Sequence, residues 1–523
     1  MRPAGRGATE SLYFTYPSFA APNDRARLGE PTPVVIVGAG PVGMTAALSL
    51  AREGTRCVLI DAKDTFNDGS RAICVARQSF RIFERIGAVA PFLEKSLPWT
   101  TGRTFYRGRQ ILEFDMPDSA DEKFRPMYNI EQQYIEAYLW DAIAREPLID
   151  ARWQSAAVAI EDAEDGVRLT IRDPHGEYTL PAAWCLAADG ARSPIRKLRG
   201  LRLKGENYEG RYVIADVQMK HDYPTIRRAL FDPDCRRGGT ILVHKQPDDI
   251  WRIDYQLRDG EDEAEALREE NVRASVAAVL EEIGHEGAWE LEWWSVYSAN
   301  TLALDDYRDG RVVFIGDSAH IVPIFGVRGL NNGLADAENI AWKLARVLRG
   351  EAPEALVDSY TPERRGATLD VFANATKSAR FMTPPTPGWT LMRDAALSLA
   401  LRHPFAGALA NPRQMTPYTY AESPLTTGAG GEVLADVRVG DGFLSDRLGP
   451  GFTLVHRGAQ QQMASPAGLA QVALDPDPAE RLGLPPGGAV LVRPDGHVAA
   501  RWDAPTLEDI RAALSRALGG EIA

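Results

Sequence analysis

The stretch from Val34 to Asp61 constrains the fold of this chain more than any other, and it reads VVIVGAGPVGMTAALSLAREGTRCVLID. Its first four residues are apolar, which is typical of a buried parallel strand. A glycine motif of the form G-x-G-x-x-G follows and leads into a helical pattern that ends near Gly54. A second apolar run, Cys57–Ile60, ends at Asp61, which lies 61 − 43 = 18 residues after the last glycine, Gly43. The order of these parts predicts a βαβ unit.

Each residue of the motif has a physical role in binding a dinucleotide. Gly38 permits the tight turn after the strand, Gly40 lets the backbone approach a pyrophosphate, and Gly43 lets helix and strand pack closely. The start of the helix presents free N–H groups and the positive end of its dipole to that anion. Asp61 is suited to accept hydrogen bonds from ribose hydroxyls. The alternative is a glycine-rich turn that binds nothing, but strand, helix and acid together favour a dinucleotide site.

Composition limits what the chain is and what it binds. Its 523 residues are enough for two or three domains. A net charge of −13 disfavours nucleic acid or an anionic membrane as a partner, and no apolar run is long enough for a membrane span. The four cysteines lack C-x-x-C or metal-ligand spacing, and the basic N-terminus lacks the apolar segment of a signal peptide. We therefore expect a cytoplasmic protein without a metal centre.

The chain divides into parts where its residue pattern changes. Strand and helix patterns alternate up to about Gly200, and stretches such as Trp251–Tyr255 then alternate apolar and polar residues, which is typical of antiparallel strands. The buried-strand pattern returns at Arg311–Ile315. The predicted parts are an N-terminal extension (1–30), a nucleotide-binding domain (31–200 and 306–385), an antiparallel sheet domain (201–305), a helical and loop linker (386–430) and a C-terminal domain (431–523). We expect the extension to begin disordered and its aromatic cluster, Tyr13–Tyr16, to pack on the body.

Two further motifs follow predicted buried strands. One is Ala188–Ser193, reading ADGARS, and the other is Gly316–His320, reading GDSAH. The second continues to Gly329–Gly333, reading GLNNG, which opens a predicted helix. With the first glycine motif, these segments resemble the class A flavoprotein monooxygenases, the p-hydroxybenzoate and phenol hydroxylase superfamily. The resemblance covers most of residues 33–385.

Within that superfamily, the chain is most similar to the 3-(3-hydroxyphenyl)propionate hydroxylase-like enzymes. Two segments support this branch: Tyr360–Arg365, reading YTPERR, and Val490–Ala499, reading VLVRPDGHVA. The second resembles the thioredoxin-like C-terminal domain of phenol hydroxylases. It lacks a C-x-x-C motif, which disfavours a redox role and favours packing or dimerisation.

The resemblance implies an α/β fold: a doubly wound, Rossmann-like FAD-binding domain, an antiparallel substrate-binding sheet and a thioredoxin-like C-terminal domain. It also implies FAD as the cofactor, with NADPH or NADH as a transient electron donor. Because the chain has one Rossmann fingerprint, the donor is expected to visit without a second nucleotide-binding domain.

The resemblance also implies roles for individual residues. Arg71 matches the arginine that contacts the pyrophosphate, and Gln132 matches the glutamine near the ribityl chain, with Gln133 as a rival. Asp317 matches the aspartate that binds the ribityl chain, and Asp189 the one that serves both FAD and the nicotinamide donor. The expected cofactor-binding residues are Gly38, Gly40, Pro41, Val42, Gly43, Asp61, Arg71, Gln132, Asp189, Gly316, Asp317, Pro323, Gly329, Leu330 and Asn331.

Residues that face the substrate are harder to identify. Tyr255 and His244, on predicted strands of the sheet domain, are the candidate catalytic residues, although either type is more often structural. His320 belongs to the flavin motif, which favours a structural role for it. The chain departs from the family at Pro323-Ile324, where two prolines are common, and at Arg328, where glutamine is common. These departures bear on substrate choice rather than on flavin binding.

We therefore predict an oxidoreductase, a single-component flavoprotein monooxygenase. As an aromatic hydroxylase it is expected to use NAD(P)H and O₂ to hydroxylate a phenolic or related electron-rich ring through a flavin C4a-hydroperoxide. The alternative is an FAD-dependent dehydrogenase or reductase on the same framework without oxygen insertion. A third possibility is a nucleotide-binding protein without activity. The habits of the family suggest a homodimer.

Overall fold

The computed structural model describes residues 1–25, 32–69, 71–258, 260–323, 326–411, 416–458 and 463–520. The α-helices are α1 (Pro41–Arg52), α2 (Arg77–Arg85), α3 (Val89–Lys95), α4 (Gln132–Ile143), α5 (Pro194–Leu198), α6 (Glu263–Ala266), α7 (Glu269–Glu282), α8 (Gly329–Leu348), α9 (Ala355–Asp358), α10 (Tyr360–Met382), α11 (Pro387–Ala400), α12 (Pro404–Gly407), α13 (Pro476–Arg481) and α14 (Leu507–Ala517).

The strands are β1 (Thr32–Val37), β2 (Cys57–Ile60), β3 (Cys74–Ala76), β4 (Leu97–Trp99), β5 (Thr101–Tyr106), β6 (Arg109–Asp115), β7 (Met127–Asn129), β8 (Ile149–Arg152), β9 (Ala156–Ala163), β10 (Gly166–Asp173), β11 (Gly176–Ala187), β12 (Lys204–Met219), β13 (Arg227–Phe231), β14 (Thr240–Lys245), β15 (Ile250–Gln256), β16 (Trp289–Ala303), β17 (Arg308–Asp309), β18 (Val312–Phe314), β19 (His320–Ile321), β20 (Arg438–Val439), β21 (Gly442–Phe443), β22 (Thr453–Arg457), β23 (Ala470–Leu474), β24 (Ala489–Val492) and β25 (Val498–Trp502).

A parallel sheet brings together strands from residues 32–187 and 308–314. Its strands run in the order β18-β11-β1-β2-β8, with β17 antiparallel at one edge and the β9-β10 pair joined to β11. Val34, Val35 and Ile36 on β1 are completely buried, as their apolar run predicts. β1, α1 and β2 therefore form the predicted βαβ unit, and α8, from far along the chain, packs on α1.

The second large sheet has eight strands, in the order β19-β16-β12-β15-β14-β13-β5-β6. It differs from the predicted antiparallel sheet in two respects. Strands β5 and β6 come from residues 101–115 and β19 from residues 320–321, outside the predicted range 201–305, and β5 pairs with β13 in parallel. No short hairpin joins β5 to β13, so the connection does not impose an antiparallel arrangement.

The C-terminal residues form a separate four-stranded sheet. Its order is β23-β22-β24-β25, with β22 and β23 parallel and the other neighbours antiparallel. A smaller sheet, β3-β7-β4, lies in the first half of the chain. Within the described residues, no helix combines the length and apolar composition needed to cross a membrane.

The N-terminal residues do not begin disordered, contrary to the sequence-based expectation. Arg2 is buried against Asp68 and Glu292, which lie in two different parts of the fold. The aromatic cluster packs on the body as expected, because Phe14 meets the ring of Tyr134 on α4 edge-on, with 5.3 Å between centroids. The local composition predicts disorder because it does not show the carboxylates that order this segment. Those partners of Arg2 lie far away in the sequence.

Candidate active site

The sequence motifs follow strands that are neighbours in the parallel sheet. Gly38 follows β1, Asp61 follows β2, Asp189 lies just beyond β11, and Gly316 lies just beyond β18. Because the carboxyl ends of parallel strands share one edge of the sheet, the fold brings these motifs together. The Gly38 N–H donates to the carbonyl of Ile60 at 2.8 Å, which ties the first two turns.

The glycine loop is packed too tightly for larger residues. Gly38 has φ +107°, and a Cβ there would lie 2.5 Å from the carbonyl oxygen of Ala188. A Cβ on Gly43 would overlap the carbonyl oxygen of Gly38. Helix α1 begins at Pro41, with Gly40 as its N-cap, and no side chain caps its first N–H groups. The loop therefore presents bare backbone donors, the arrangement that binds a pyrophosphate.

Asp61 fixes the glycine loop and keeps acceptor capacity. Its Oδ2 accepts the Ala39 N–H at 2.7 Å, and its Oδ1 accepts the Lys63 N–H at 2.9 Å. Each carboxylate oxygen has a second lone pair available for another donor. This half-buried carboxylate is therefore suited to ribose hydroxyls.

The two aspartate motifs are joined by an arginine that sequence reasoning missed. Arg196 donates from Nη1 to the carbonyl of Ser318 at 2.9 Å and from Nη2 to the carbonyl of Ala191 at 2.6 Å. Asp189 Oδ2 accepts the Ile195 N–H at 2.8 Å, whereas its Oδ1 is buried without a partner among the residues described. Burial raises the pKa of the Asp189 carboxyl. The orphaned oxygen is an acceptor for a ligand hydroxyl at this edge.

Asp317 lies at the tip of the turn Gly316–Ser318 and is exposed to solvent. Protein atoms nevertheless surround much of the carboxyl, and this desolvation raises its pKa. The guanidinium groups of Arg71 and Arg196 lie within electrostatic range of Asp317 and oppose that rise. Asp317 and Arg71 are thus neighbours, although 246 = 317 − 71 residues separate them in the chain.

His320 is buried behind this turn, in agreement with a structural role. Its Nε2 lies 2.6 Å from Asp336 Oδ2, which also accepts the Gly316 N–H at 3.0 Å. Asp336 Oδ1 accepts from Arg364 Nε at 2.7 Å. Burial alone would raise the pKa of Asp336, but His320 and Arg364 hold it below its usual value. Asp336, which the sequence analysis did not single out, therefore anchors the Gly316 turn.

The N-terminus of α8 is also uncapped by a side chain. Its first intrahelical hydrogen bond runs from the Asn332 N–H to the carbonyl of Arg328 at 2.9 Å, so the N–H groups of Gly329, Leu330 and Asn331 precede that ladder. The Asn331 side chain instead pins the strand β3, because its Oδ1 accepts the Ala76 N–H at 2.8 Å. Only the backbone of Asn331 is therefore suited to a ligand.

The segment before α8 gives less information. Pro323 is buried shortly after β19, and Ile324 lies outside the described residues. Arg328 is buried, and its Nη1 donates to the carbonyl of Val371 on α10 at 3.4 Å.

Two neighbouring glutamines on α4 have different surroundings. Gln132 Oε1 accepts the Ala72 N–H at 3.4 Å, and its Nε2 donates to the buried Glu136 at 2.7 Å. Gln133 is buried and donates to the Tyr16 hydroxyl at 2.9 Å. Gln132 therefore lies against the loop that carries Arg71, which favours it over its rival.

A row of polar residues crosses the second sheet. Across neighbouring strands, His244 pairs with Arg252, Arg252 with Asp216, and Asp216 with Trp293. Arg227 lies one step beyond the pair Arg228 and Val243, and so next to His244. We call these five residues the polar row.

The polar row faces the half of the molecule that carries the motifs. Arg252 Nη1 donates to the carbonyl of Arg71 at 3.4 Å, and the His244 ring lies 6.5 Å from the ring of Trp99. Gly69 lies directly against the Trp293 indole, which a Cβ on this residue would overlap. The row and the Arg71 loop thus form opposing walls of the candidate site.

The charges along this wall are incompletely paired. Arg252 and Asp216 form a buried two-point ion pair at 2.7 and 2.9 Å. Arg227 is 5% exposed, and its guanidinium has no hydrogen-bond partner among the described residues. Burial lowers its pKa to about 10, so it remains a cation at neutral pH. The neighbouring Asp254 has one buried oxygen, Oδ1, that has no hydrogen-bond partner among the residues that the structure describes. The wall therefore carries a buried cation that has Asp254 in electrostatic range but no hydrogen-bonded carboxylate within the described ranges.

The two candidate catalytic residues lie on opposite faces of the sheet. Tyr255 belongs to the apolar core under α7, with Val276 and Val279, and burial raises its pKa to about 12. Alternation along β15 places Arg252 and Asp254 on the other face. His244 lies on that face, but burial and the neighbouring Arg227 and Arg252 lower its pKa to about 3. Tyr255 therefore does not face the candidate site, and His244 is neutral there.

Asp254 makes the stability of the fold depend on pH. Burial raises its pKa to about 7 from an ordinary 3.8, so the folded protein binds this proton more tightly than the unfolded chain does. Stability is therefore lost as pH rises between those values. We expect the free energy of unfolding of Asp254→Asn, relative to wild type, to increase by about 3 kcal/mol from about pH 5 to about pH 8. Urea unfolding at both pH values measures this gain, and exposed Asp222→Asn is the control. An unchanged difference at the two pH values would contradict the assignment.

Comparison with known proteins agrees with this geometry. Residues 31–375 match the family described as FAD binding domain, and residues 430–520 match the one described as aromatic-ring hydroxylase, C-terminal. The flavin-dependent monooxygenase PieE, solved in complex with FAD and substrate, has a TM-score of 0.76 and 20% identity, covering 94% of this chain and 100% of that chain. At this identity, the likeness shows the fold alone.

Curated relatives are similar to this chain over about two thirds of its length. The 3-(3-hydroxy-phenyl)propionate/3-hydroxycinnamic acid hydroxylase of Klebsiella pneumoniae is 30% identical over 363 residues, 69% of this chain and 64% of the relative. The enzyme of the same name from Mycolicibacterium smegmatis is 28% identical over 361 residues, 69% of this chain and 63% of the relative. The match therefore spans less than two thirds of the length of these relatives.

Proposed function

Because the chain belongs to the FAD binding domain family, we propose that it is a single-component, NAD(P)H- and O₂-dependent flavin monooxygenase. Its substrate is a phenolic or related electron-rich aromatic compound. The names of the hydroxylases to which it is similar support this substrate class. The reaction inserts one oxygen atom of O₂ into a ring C–H bond and releases the other as water, while NAD(P)H is oxidised.

The observation that carries the proposal is the opposition of two walls. One holds the glycine loop, Asp61, Asp317 and Arg71, and the other is the polar row, which meets the first where Arg252 donates to the carbonyl of Arg71. The tight glycine loop, the orphaned oxygen of Asp189 and the exposed carboxylate of Asp317 fit the phosphates and hydroxyls of FAD. A substrate between the walls would lie between the cofactor and the polar row.

The residues of this chain would then act by binding and orientation. FAD, when bound, supplies the redox chemistry with NAD(P)H and O₂. The uncapped N-terminus of α8 stabilises negative charge placed at Gly329–Asn331. Arg227 holds an anionic or hydrogen-bonding substituent of the substrate, and neutral His244 accepts or donates one hydrogen bond. The closely packed walls limit the access of water to the ring.

Several finer features belong to the same proposal. The proposed domain division keeps the predicted order, with strands β5, β6 and β19 added to the sheet domain. The order β23-β22-β24-β25 supports a thioredoxin-like C-terminal domain that packs without redox chemistry. All four cysteines are unpaired, which suits a reducing cytoplasm.

We also propose a homodimer. Exposed apolar side chains on and beside α11 and α12 support it, and they include Leu391, Phe405 and Leu409.

The purified protein tests the proposal directly. We expect a flavin absorbance spectrum, and NADH or NADPH oxidation that one phenol of a panel accelerates, with oxygen uptake and a hydroxylated product. Stimulated oxidation without oxygen uptake would favour the dehydrogenase alternative. A colourless protein that FAD does not reconstitute would overturn the proposal.

The Arg227→Met variant tests the substrate wall. Methionine keeps the length of the side chain but removes the charge, so a substrate with an anionic substituent loses its partner. We expect KM to rise about 10- to 100-fold, the effect of losing one charged hydrogen bond, with unchanged flavin content. Exposed Arg237→Met, on the same sheet domain, is the control. Equal KM values for the two variants would contradict the role of Arg227.

A further inference from the structure

Residues 1–16 form a segment that joins the two walls of the candidate site, and we call them the N-terminal strap. They precede residues 31–375, which match the FAD binding domain family. The carbonyl of Met1 accepts the Trp294 N–H at 3.0 Å, which ties the strap to β16. The Ala4 N–H donates to Glu269 Oε2 at 2.7 Å, at the start of α7.

Glu292 on β16 anchors the strap to the second sheet. Its side chain is 1% exposed and accepts four hydrogen bonds from the strap. Arg2 Nη1 donates to it at 2.5 Å, Ser11 Oγ at 2.6 Å, the Leu12 N–H at 2.9 Å and, more weakly, Arg6 Nη1 at 3.5 Å. A buried carboxylate needs such partners, so Glu292 and the strap hold each other in place.

Arg2 also reaches the opposite wall. Its Nη2 and Nε lie 3.0 and 3.2 Å from Oδ1 of Asp68, and its side chain is only 2% exposed. Asp68 lies three residues before Arg71, at the start of the loop expected to contact the pyrophosphate. The planar fork of a guanidinium suits this bridging of two carboxylates.

Three contacts hold the described residues 68, 69 and 71 of this loop. Arg2 holds the side chain of Asp68, the Trp293 indole packs against the backbone of Gly69, and Arg252 donates to the carbonyl of Arg71. Gly69 has φ +72°, and a Cβ there would overlap the indole. Two of the three ties come from the sheet and the third comes from the strap. Without the strap, the start of the loop has one fewer anchor.

We propose that Arg2 is a positioning residue of the cofactor site: it ties Asp68 to Glu292, and so sets the place of Arg71 relative to the polar row. This inference rests on the proposed role of Arg71 in binding FAD. Loss of the tie lets the loop depart from the geometry that binds a pyrophosphate, because small displacements at a site have large effects. Lower FAD affinity is the expected consequence.

Variants of Arg2 and Asp68 test the tie in FAD titrations of the full-length apoprotein, tagged at its C-terminus. We expect Arg2→Ala to raise the Kd for FAD about tenfold, the effect of about 1.4 kcal/mol, and Asp68→Asn to raise it similarly. The double variant should be no weaker than Arg2→Ala, because both changes break one interaction. Arg2→Lys should recover only part of the affinity, since an ammonium lacks the planar fork. Hydrogen exchange of residues 66–72 should increase in Arg2→Ala.

Arg6→Ala is the matched control, because the contacts of Arg6 lie on β16, at Glu290, Leu291 and Glu292, and none of them involves the loop. We expect its Kd for FAD to stay within about twofold of wild type. The inference is wrong if Asp68→Asn, which is partly exposed and should fold, binds FAD like wild type, or if the effects of the two changes add. Wild-type protein that binds no FAD would instead overturn the proposed function, so the two failures are distinguishable.

Discussion

Asp317→Ala should purify with less than about a tenth of the flavin of the wild-type protein. The wild-type carboxylate is exposed at the turn Gly316–Ser318, and Arg71 lies within electrostatic range of it. A hydrogen bond to a charged acceptor is worth about 1.5–3 kcal/mol, which corresponds to a 10- to 150-fold loss of affinity. The ratio of visible to protein absorbance after purification, and titration of the apoprotein with FAD, measure the effect.

Two further variants make this result interpretable. Asp317→Asn keeps the shape of the side chain and an acceptor oxygen but loses the charge, so we expect an intermediate flavin content. Asp305→Ala removes an exposed carboxylate that pairs with Lys204 outside the motif, and it should keep full flavin. Full flavin in Asp317→Ala would show that this carboxylate does not hold the cofactor, and the role of the motif would have to be reassigned.

The cofactor wall could be predicted from the sequence because each of its parts is local. A few consecutive residues determine the turn after a buried strand, as in Gly38–Gly43 or Gly316–His320. Parallel strands then bring such turns to one edge whatever lies between them. The supports behind the wall were not predictable in this way. Arg196 acts on a turn 122 = 318 − 196 residues away, and Asp336 acts on one 20 = 336 − 316 residues away. Each lies three residues beyond a motif but is not part of it, so the motifs do not indicate these contacts.

The substrate wall could not be predicted because it depends on strand register. Trp251–Tyr255 alternates apolar and polar residues, which indicates a strand but not which face is turned towards the site. Both faces of this sheet are buried, so hydrophobicity does not distinguish them. Tyr255, a candidate from its place on a predicted strand, lies in the core, whereas Arg252 and Asp254 on the same strand lie on the other face. Charged residues within a buried strand therefore indicate the face turned towards the site better than a tyrosine does.

The C-terminal domain shows why a motif with no catalytic group matters for the fold. Glu363 on α10 is 2% exposed, and its carboxylate accepts hydrogen bonds from three parts of the chain. Lys343 Nζ on α8 donates at 2.7 Å, Arg493 of the C-terminal domain at 2.6 and 3.0 Å, and Ser423 Oγ of the linker at 2.5 Å. Burial alone would raise the pKa of Glu363, but Arg493 and Lys343 hold it well below its usual value. Residues Tyr360–Arg365 and Val490–Ala499, which indicated the branch of the family, therefore meet in one buried ionic cluster.

Glu363→Gln should destabilise the protein by about 3–5 kcal/mol, because it leaves Lys343 and Arg493 buried beside a neutral side chain. We expect a lower urea midpoint and a C-terminal domain that becomes accessible to protease before the rest of the chain. Glu351→Gln is the control, since Glu351 pairs with Arg346 and Arg349 at the surface and should change stability by less than about 1 kcal/mol. Equal midpoints for Glu363→Gln and wild type would show that the cluster does not hold the domain in place.

The same variant separates fold stability from cofactor binding. Lys343 lies on α8, the helix whose N-terminus is expected to face the flavin, but it is 14 = 343 − 329 residues from that end. At 1.5 Å per residue, this is about 21 Å along the helix, too far for a direct effect on the ring. Glu363→Gln should therefore keep most of its flavin in the absence of denaturant. Asp317→Ala should lose flavin, but the urea midpoint of its apoprotein should stay close to that of the wild-type apoprotein, since a bound ligand itself stabilises the fold. Flavin loss in Glu363→Gln equal to that in Asp317→Ala would mean instead that the C-terminal domain controls the position of α8.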